Sequence, residues 1–159
     1  MLHKERNKLN NNYFIRKNPR LKDYSYSSGG YYFITICTAD KKHIFGEIME
    51  DKIQLSEIGK LVYSNIENLE KIYNPIKIDK FIVMTNHIHM ILIIEKETDL
   101  TVSRIIKQYK ESITKTIKKP IWQKSYFDHI IRNEKDYYRI WKYIDENELK
   151  WSLDKYYNE

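Results

Sequence analysis

An α+β fold, with helices packed on a mainly antiparallel sheet, is predicted from three observations. Several runs rich in Ile, Val and aromatic residues read as strands, and amphipathic segments with apolar residues at three- and four-residue spacing read as helices. The two kinds mix along one chain without strict βαβ alternation, which argues against a parallel sheet. At 159 residues, with no repeat or interdomain linker, the chain reads as one domain over 31–159 behind a basic, aromatic arm over 1–30.

The arm holds Arg16, Lys17, Arg20 and Lys22 interleaved with Tyr13, Phe14, Tyr24 and Tyr26, a pattern that suits a solvated tail or a nucleic-acid clamp. Ser27-Ser28-Gly29-Gly30 punctuates the chain, and Tyr31 to Thr38 reads as a strand. Residues 44–49 and 52–55 flank Glu50-Asp51 as a small hairpin. Ser56 can cap a helix to about Tyr73, with Ile58, Leu61, Val62, Ile66 and Leu69 on one face. Pro75 closes that segment, and Ile76 to Met84 reads as a strand. Thr85-Asn86 makes a tight link to the strand that follows, so the two should pair antiparallel.

Thr98 to Thr101 opens a helix to about Lys118. Its apolar positions are Leu100, Val102, Ile105, Ile106, Tyr109 and Ile113, and its cations include Arg104, Lys107 and Lys110. Those cations form a solvated face or a phosphate-contacting one. After Pro120 comes a short aromatic extended stretch to Arg132, and Asn133-Glu134 starts a final helix to about Asn147. In the tail, Trp151 and Leu153 are expected docking points.

The chemistry centres on the strand Val83 to Glu95. Alternation along a strand places His87 and His89 on one face and turns Ile88 and Met90 into a core. Two imidazoles on one face are either hydrogen-bonded structural histidines on a half-exposed strand or two ligands of a divalent metal. On the final helix Tyr143 and Asn147 are one turn apart. If that face packs over the histidine strand, Asn147 can supply a third ligand and Tyr143 lies within reach of whatever the metal polarises; otherwise Tyr143 packs in the core beside Ile140 and Ile144. Imidazole with amide oxygen and water suits Mg²⁺ or Mn²⁺.

The single Cys37 excludes an internal disulfide framework and a cysteine zinc cage, and reads as a buried, inert thiol. A net charge of +6 with 14 tyrosines and three tryptophans suits a nucleic-acid partner, though a basic protein without one has the same composition. No signal-peptide core and no bilayer-length apolar run is visible, so a cytoplasmic, nucleoid-associated protein without membrane contact is expected.

Met84-Thr85-Asn86-His87-Ile88-His89 after a strand, a basic helix, Ile121-Trp122-Gln123-Lys124-Ser125-Tyr126-Phe127-Asp128-His129-Ile130-Ile131-Arg132-Asn133-Glu134, and Tyr143-Ile144 with Asn147 together resemble the single-tyrosine HUH transposases, closest to their REP-associated tyrosine transposase branch. Arg20 to Tyr26, Tyr32 to Thr38 and Ile44 to Ile48 carry the resemblance further, over roughly residues 16–155. It implies a ferredoxin-like HUH nuclease fold, His87 and His89 as metal ligands, Asn147 as the third, and Tyr143 as nucleophile. It also implies cleavage and rejoining of single-stranded DNA at hairpin, REP-like sites through a 5′-phosphotyrosine, with no organic cofactor. Thr85 stands where the family often has Pro, and Glu148 where Pro often follows the Asn. His129 matches a family position and reads as structural or DNA-contacting; Tyr137 and Tyr138 are rival nucleophiles. A domesticated, non-catalytic DNA-hairpin-binding module and a water-using phosphodiesterase are the alternatives. Both a monomer and a homodimer remain open.

Overall fold

The computed structural model describes residues 30–95 and 98–151. Among the described residues there are six strands: β1 (Gly30–Cys37), β2 (Gly46–Met49), β3 (Lys52–Leu55), β4 (Ile76–Val83), β5 (His87–Ile94) and β6 (Phe127–Ile131). Three α-helices accompany them: α1 (Glu57–Ile72), α2 (Val102–Ile117) and α3 (Glu134–Asp145). The main sheet has the order β4-β5-β1-β6, and every neighbouring pair is antiparallel. With α1 between β1 and β4 and α2 between β5 and β6, this is the split βαβ arrangement of the ferredoxin-like fold. The expected α+β class with an antiparallel sheet is therefore observed.

Local sequence explains the boundaries. Each α-helix begins on a residue whose side-chain oxygen accepts from a first-turn amide: Ser56 from Gly59, Thr101 from Arg104 and Asn133 from Asp136. Glu50 and Asp51 take positive φ values of 51° and 59°, the backbone twist that a two-residue hairpin between β2 and β3 requires. Gly59 leaves room for α1 against the preceding chain; a Cβ there would meet the Phe45 carbonyl oxygen at 2.0 Å.

One face of the sheet is apolar throughout. Tyr32, Ile34 and Ile36 of β1 and Ile88, Met90, Leu92 and Ile94 of β5 pack under Val62, Ile66 and Leu69 of α1 and Ile105, Ile106 and Ile113 of α2. Tyr109 joins the two helices by donating its hydroxyl to the Val62 carbonyl at 2.8 Å, and burial pushes its own ionisation well up. The opposite face holds Tyr31, Ile91, Ile93 and Ile131 under Tyr137, Ile140 and Ile144 of α3. The histidines lie on this second face, at the end that α3 crosses last. Among the described residues, no helix is long and apolar enough to cross a membrane.

Candidate active site on the α3 face of the sheet

β5 is buried on both faces, with His87 0% and His89 1% exposed, so the half-exposed strand of the structural alternative is not what forms. The two imidazole centroids lie 4.5 Å apart. Buried imidazoles need partners, and each ring is anchored through Nδ1. His89 Nδ1 lies 2.8 Å from the Thr35 hydroxyl, its cross-strand neighbour on β1. His87 Nδ1 lies 2.8 Å from Asn86 Oδ1, while the Asn86 amide donates to the Lys41 carbonyl at 3.3 Å. With the amide so oriented, His87 donates from Nδ1, which puts its lone pair on Nε2. A metal bound at either ring would be met by Nε2, with Thr35 and Asn86 as orienting partners.

The turn that aims the pair is itself held. The Thr85 and Asn86 carbonyls accept from the backbone amides of Phe45 at 2.9 Å and Thr38 at 3.0 Å. Thr85, where Pro is frequent in the resembling family, uses its hydroxyl on His43 Nδ1 at 2.7 Å.

α3 delivers the remaining groups. Its buried stripe runs Tyr137, Ile140, Ile144 and continues past the helix end to Asn147 and Trp151. Tyr143 lies at the edge of this stripe, 36% exposed, with its ring centroid 5.1 Å from His89 and 6.2 Å from Phe33. Phe33 in turn lies 5.2 Å from His89. Asn147 is 2% exposed, with Oδ1 shielded from solvent. Trp151 stacks on His87 at 5.8 Å and 25°, and meets His43 edge-on at 6.1 Å. Glu148, where Pro is frequent in the resembling family, accepts from the Ile53 amide at 2.8 Å and ties the chain after α3 to β3. A cleft of about 450 Å³ opens beside Trp151, between this segment, the β2–β3 hairpin and Thr85.

The rival tyrosines are placed differently. Tyr137 is 1% exposed and donates its hydroxyl to Asp79. Tyr138 is half-buried against Tyr137 at 5.3 Å, and desolvation, then Glu134, raises its ionisation. Of the three, Tyr143 is the most exposed, and its ring centroid lies 5.1 Å from that of His89.

Among the cations predicted to contact phosphate, Arg104 and Lys107 are exposed on α2. Lys110 is turned to structural work: its ammonium donates to the Gln123 and Ser125 carbonyls at 2.9 and 2.8 Å, and desolvation lowers its pKa. Arg16, Lys17, Arg20 and Lys22, with the rest of the arm, lie outside the described residues, as does Leu153. His129 binds Asp136 across 2.6 Å. Cys37 is buried at the end of β1. Sequence reasoning missed Thr35, Asn86 and Phe33 as neighbours of the histidines; the only signal for Thr35 was its place in a β strand, which becomes informative once the register with His89 is known.

Among the described residues no three His, Cys, Asp or Glu side chains gather as a metal group. An ion held here would take two imidazoles and complete its shell with amide and water oxygens. That donor set fits the mixed nitrogen and oxygen preference of a first-row or hard divalent ion, and Asn147 is the buried amide on the crossing segment.

No family model matches the chain. It is 34% identical over 167 positions to an uncharacterized protein of Haemophilus influenzae, covering 89% of this chain and 93% of that one. In fold it is similar to a REP-associated tyrosine transposase bound to a REP hairpin, with a TM-score of 0.66, 24% identity, and coverage of 83% of this chain and 74% of that one. A candidate transposase from Deinococcus radiodurans R1 is also similar, with a TM-score of 0.50, 15% identity, and coverage of 82% and 96%. The chain thus belongs to one family with the Haemophilus influenzae protein, and its fold is that of the REP-associated tyrosine transposase.

Proposed function

We propose that this protein is a metal-dependent transposase, a DNA endonuclease and ligase acting on single strands at hairpin, REP-like sites. The observation that carries the reading is Tyr143: a partly exposed tyrosine held 5.1 Å from His89, near the end of α3 and four residues before the buried Asn147. The fold shared with a transposase that is bound to a REP hairpin supports the substrate class.

In this reading Tyr143 Oη attacks the scissile phosphorus. The Oη–P bond forms as the P–O3′ bond breaks, the tyrosine proton is given up, and the 3′ oxygen leaves as a hydroxyl. The 5′-phosphotyrosine conserves the bond energy, so a 3′-OH can reverse the attack and join strands without ATP. A divalent ion, Mg²⁺ or Mn²⁺, bound by His87, His89 and Asn147 would withdraw charge from the phosphoryl oxygen. Thr35 and Asn86 hold the imidazoles in the orientation that ligation needs. Phosphates along the strand fall to the cations of the arm and to Arg104 and Lys107. A second reading, a hairpin-binding module without chemistry, is favoured by one feature: the histidines are buried and Trp151 stacks on His87.

The test is to incubate the protein with labelled hairpin DNAs and Mn²⁺ and separate the products on a denaturing gel. A covalent band is expected, lost in Tyr143→Phe while hairpin binding persists. Retention of that band in Tyr143→Phe would overturn the nucleophile; hairpin binding with neither cleavage nor adduct would select the binding module; cleavage without an adduct would select a water-using nuclease.

A further inference from the structure

The two outer strands of the main sheet are finished differently. On β4, Lys80 bonds Asp145 of α3 at 2.7 Å and lies 4.1 Å over the Trp141 ring, which ties that edge to the helix. On β6, which among the described residues pairs only with β1, the edge presents Phe127, 49% exposed. Phe127 is in register with Thr35, and Thr35 with His89, so the three form one row on the histidine face. Phe127 therefore stands two strand spacings, about 10 Å, from His89. Phe33 connects them: its centroid is 6.3 Å from Phe127, 6.2 Å from Tyr143 and 5.2 Å from His89. Two exposed aromatic rings thus flank one half-buried ring beside the histidine pair.

The segment that delivers Phe127 is fixed in place. Lys110 binds the Gln123 and Ser125 carbonyls, and the Gln123 amide donates to the Cys37 carbonyl at 2.9 Å. Desolvation of the Lys110 ammonium, visible in its lowered pKa, is the cost of that clamp. Two exposed cations are close in sequence to the two rings: Lys124, three residues before Phe127, and Lys142, next to Tyr143 and 3.9 Å from Glu146; Asp128 follows Phe127. A firmly held aromatic face recognises an unpaired base, whose own face is open, whereas bases in a duplex are stacked on one another.

We infer that Phe127 is a stacking platform for one unpaired base of a single-stranded nucleic acid, next to the phosphate that Tyr143 would attack. The inference rests on the single-strand DNA reading above. It is tested in a Tyr143→Phe background without metal, so that binding is measured apart from chemistry, using an unstructured dye-labelled oligonucleotide and fluorescence anisotropy. Phe127→Ala should weaken binding roughly tenfold or more. Phe127→Trp should keep the parent affinity, and the emission it adds should be quenched by the single strand but not by a blunt duplex of the same sequence. Equal affinity of Phe127→Ala and its parent would overturn the platform. If the wild type still formed a covalent adduct, the enzyme reading would survive that loss; a parent that bound hairpin DNA but not the single strand would overturn the platform alone, and one that bound neither would sink both.

Discussion

The two faces of β5 are built for different tasks from one run of eight residues. On one face Ile88, Met90, Leu92 and Ile94 continue the core beneath α1 and α2 without a polar atom. On the other, Ile93 and Ile91 give way to His89 and His87. The segment above changes with them, from Tyr137, Ile140 and Ile144 on α3 to Asn147 and then Trp151 beyond its end. Both sides of one contact change from apolar to polar over the same few residues. Burying polar groups costs free energy unless they are hydrogen-bonded, so the polar end is where bonds such as Thr35 to His89 and Asn86 to His87 appear. The comparison teaches that the apolar face sets stability, while the polar end sets orientation.

The largest effect should fall on the apolar face. Met90→Ala removes a fully buried side chain and should cost about 2–5 kcal/mol in urea unfolding. Thr35→Val, on the opposite face, keeps the shape and removes the hydroxyl that His89 Nδ1 meets. It should cost less, about 1–3 kcal/mol, and should also lower Mn²⁺ affinity by about 10- to 100-fold in calorimetry. A loss for Thr35→Val matching that of Met90→Ala, with metal affinity unchanged, would erase the distinction between the faces.

A finer cut lies within α3. Tyr137→Phe removes the hydroxyl bonded to Asp79 and should cost about 1 kcal/mol while leaving the covalent adduct intact. Tyr143→Phe should do the reverse, keeping the melting temperature and losing the adduct. Adduct loss in Tyr137→Phe with a normal melting temperature would transfer the nucleophile's role.

What was legible in the sequence follows from the same contrast. Helix caps at Ser56 and Asn133, the Glu50-Asp51 turn and the facing of His87 with His89 depend on neighbours a few residues away, so periodicity and turn chemistry reveal them. Thr35 and Phe33 meet His89 only through strand register, which no local pattern encodes. Lys110 looked like its helix neighbours Arg104 and Lys107, because a cation's partner across 13 residues is set by where the segment after α2 returns. The difference in depth between Tyr137 and Tyr143 depends on how α3 is rotated over the sheet, and the resemblance to a transposase, rather than spacing, pointed to Tyr143.

The smallest predicted effect concerns how α3 is seated before it reaches the site. Asp136, in its first turn, binds His129 of β6 at 2.6 Å and Arg139 at 2.6 Å, while the Asn133 side chain accepts from its amide. Burial alone would raise the Asp136 carboxyl; hydrogen bonds from His129 and then Arg139 outweigh it and hold the group below its ordinary 3.8. A depressed carboxylate stabilises the fold fully above that ordinary value, and the contribution fades as pH falls from 3.8 through the lower folded value. Asp136→Asn should therefore cost under about 1 kcal/mol at neutral pH, because Arg139 is largely exposed and water screens the pair. Urea unfolding of both proteins at successive pH values should show the difference shrinking below pH 3.8. A difference constant through the acid range would mean that shape and hydrogen bonding, rather than charge, join α3 to β6. The seating matters because α3 is a rigid rod: an error at Asp136 is carried two turns on to Tyr143, where the face of the sheet is no longer apolar.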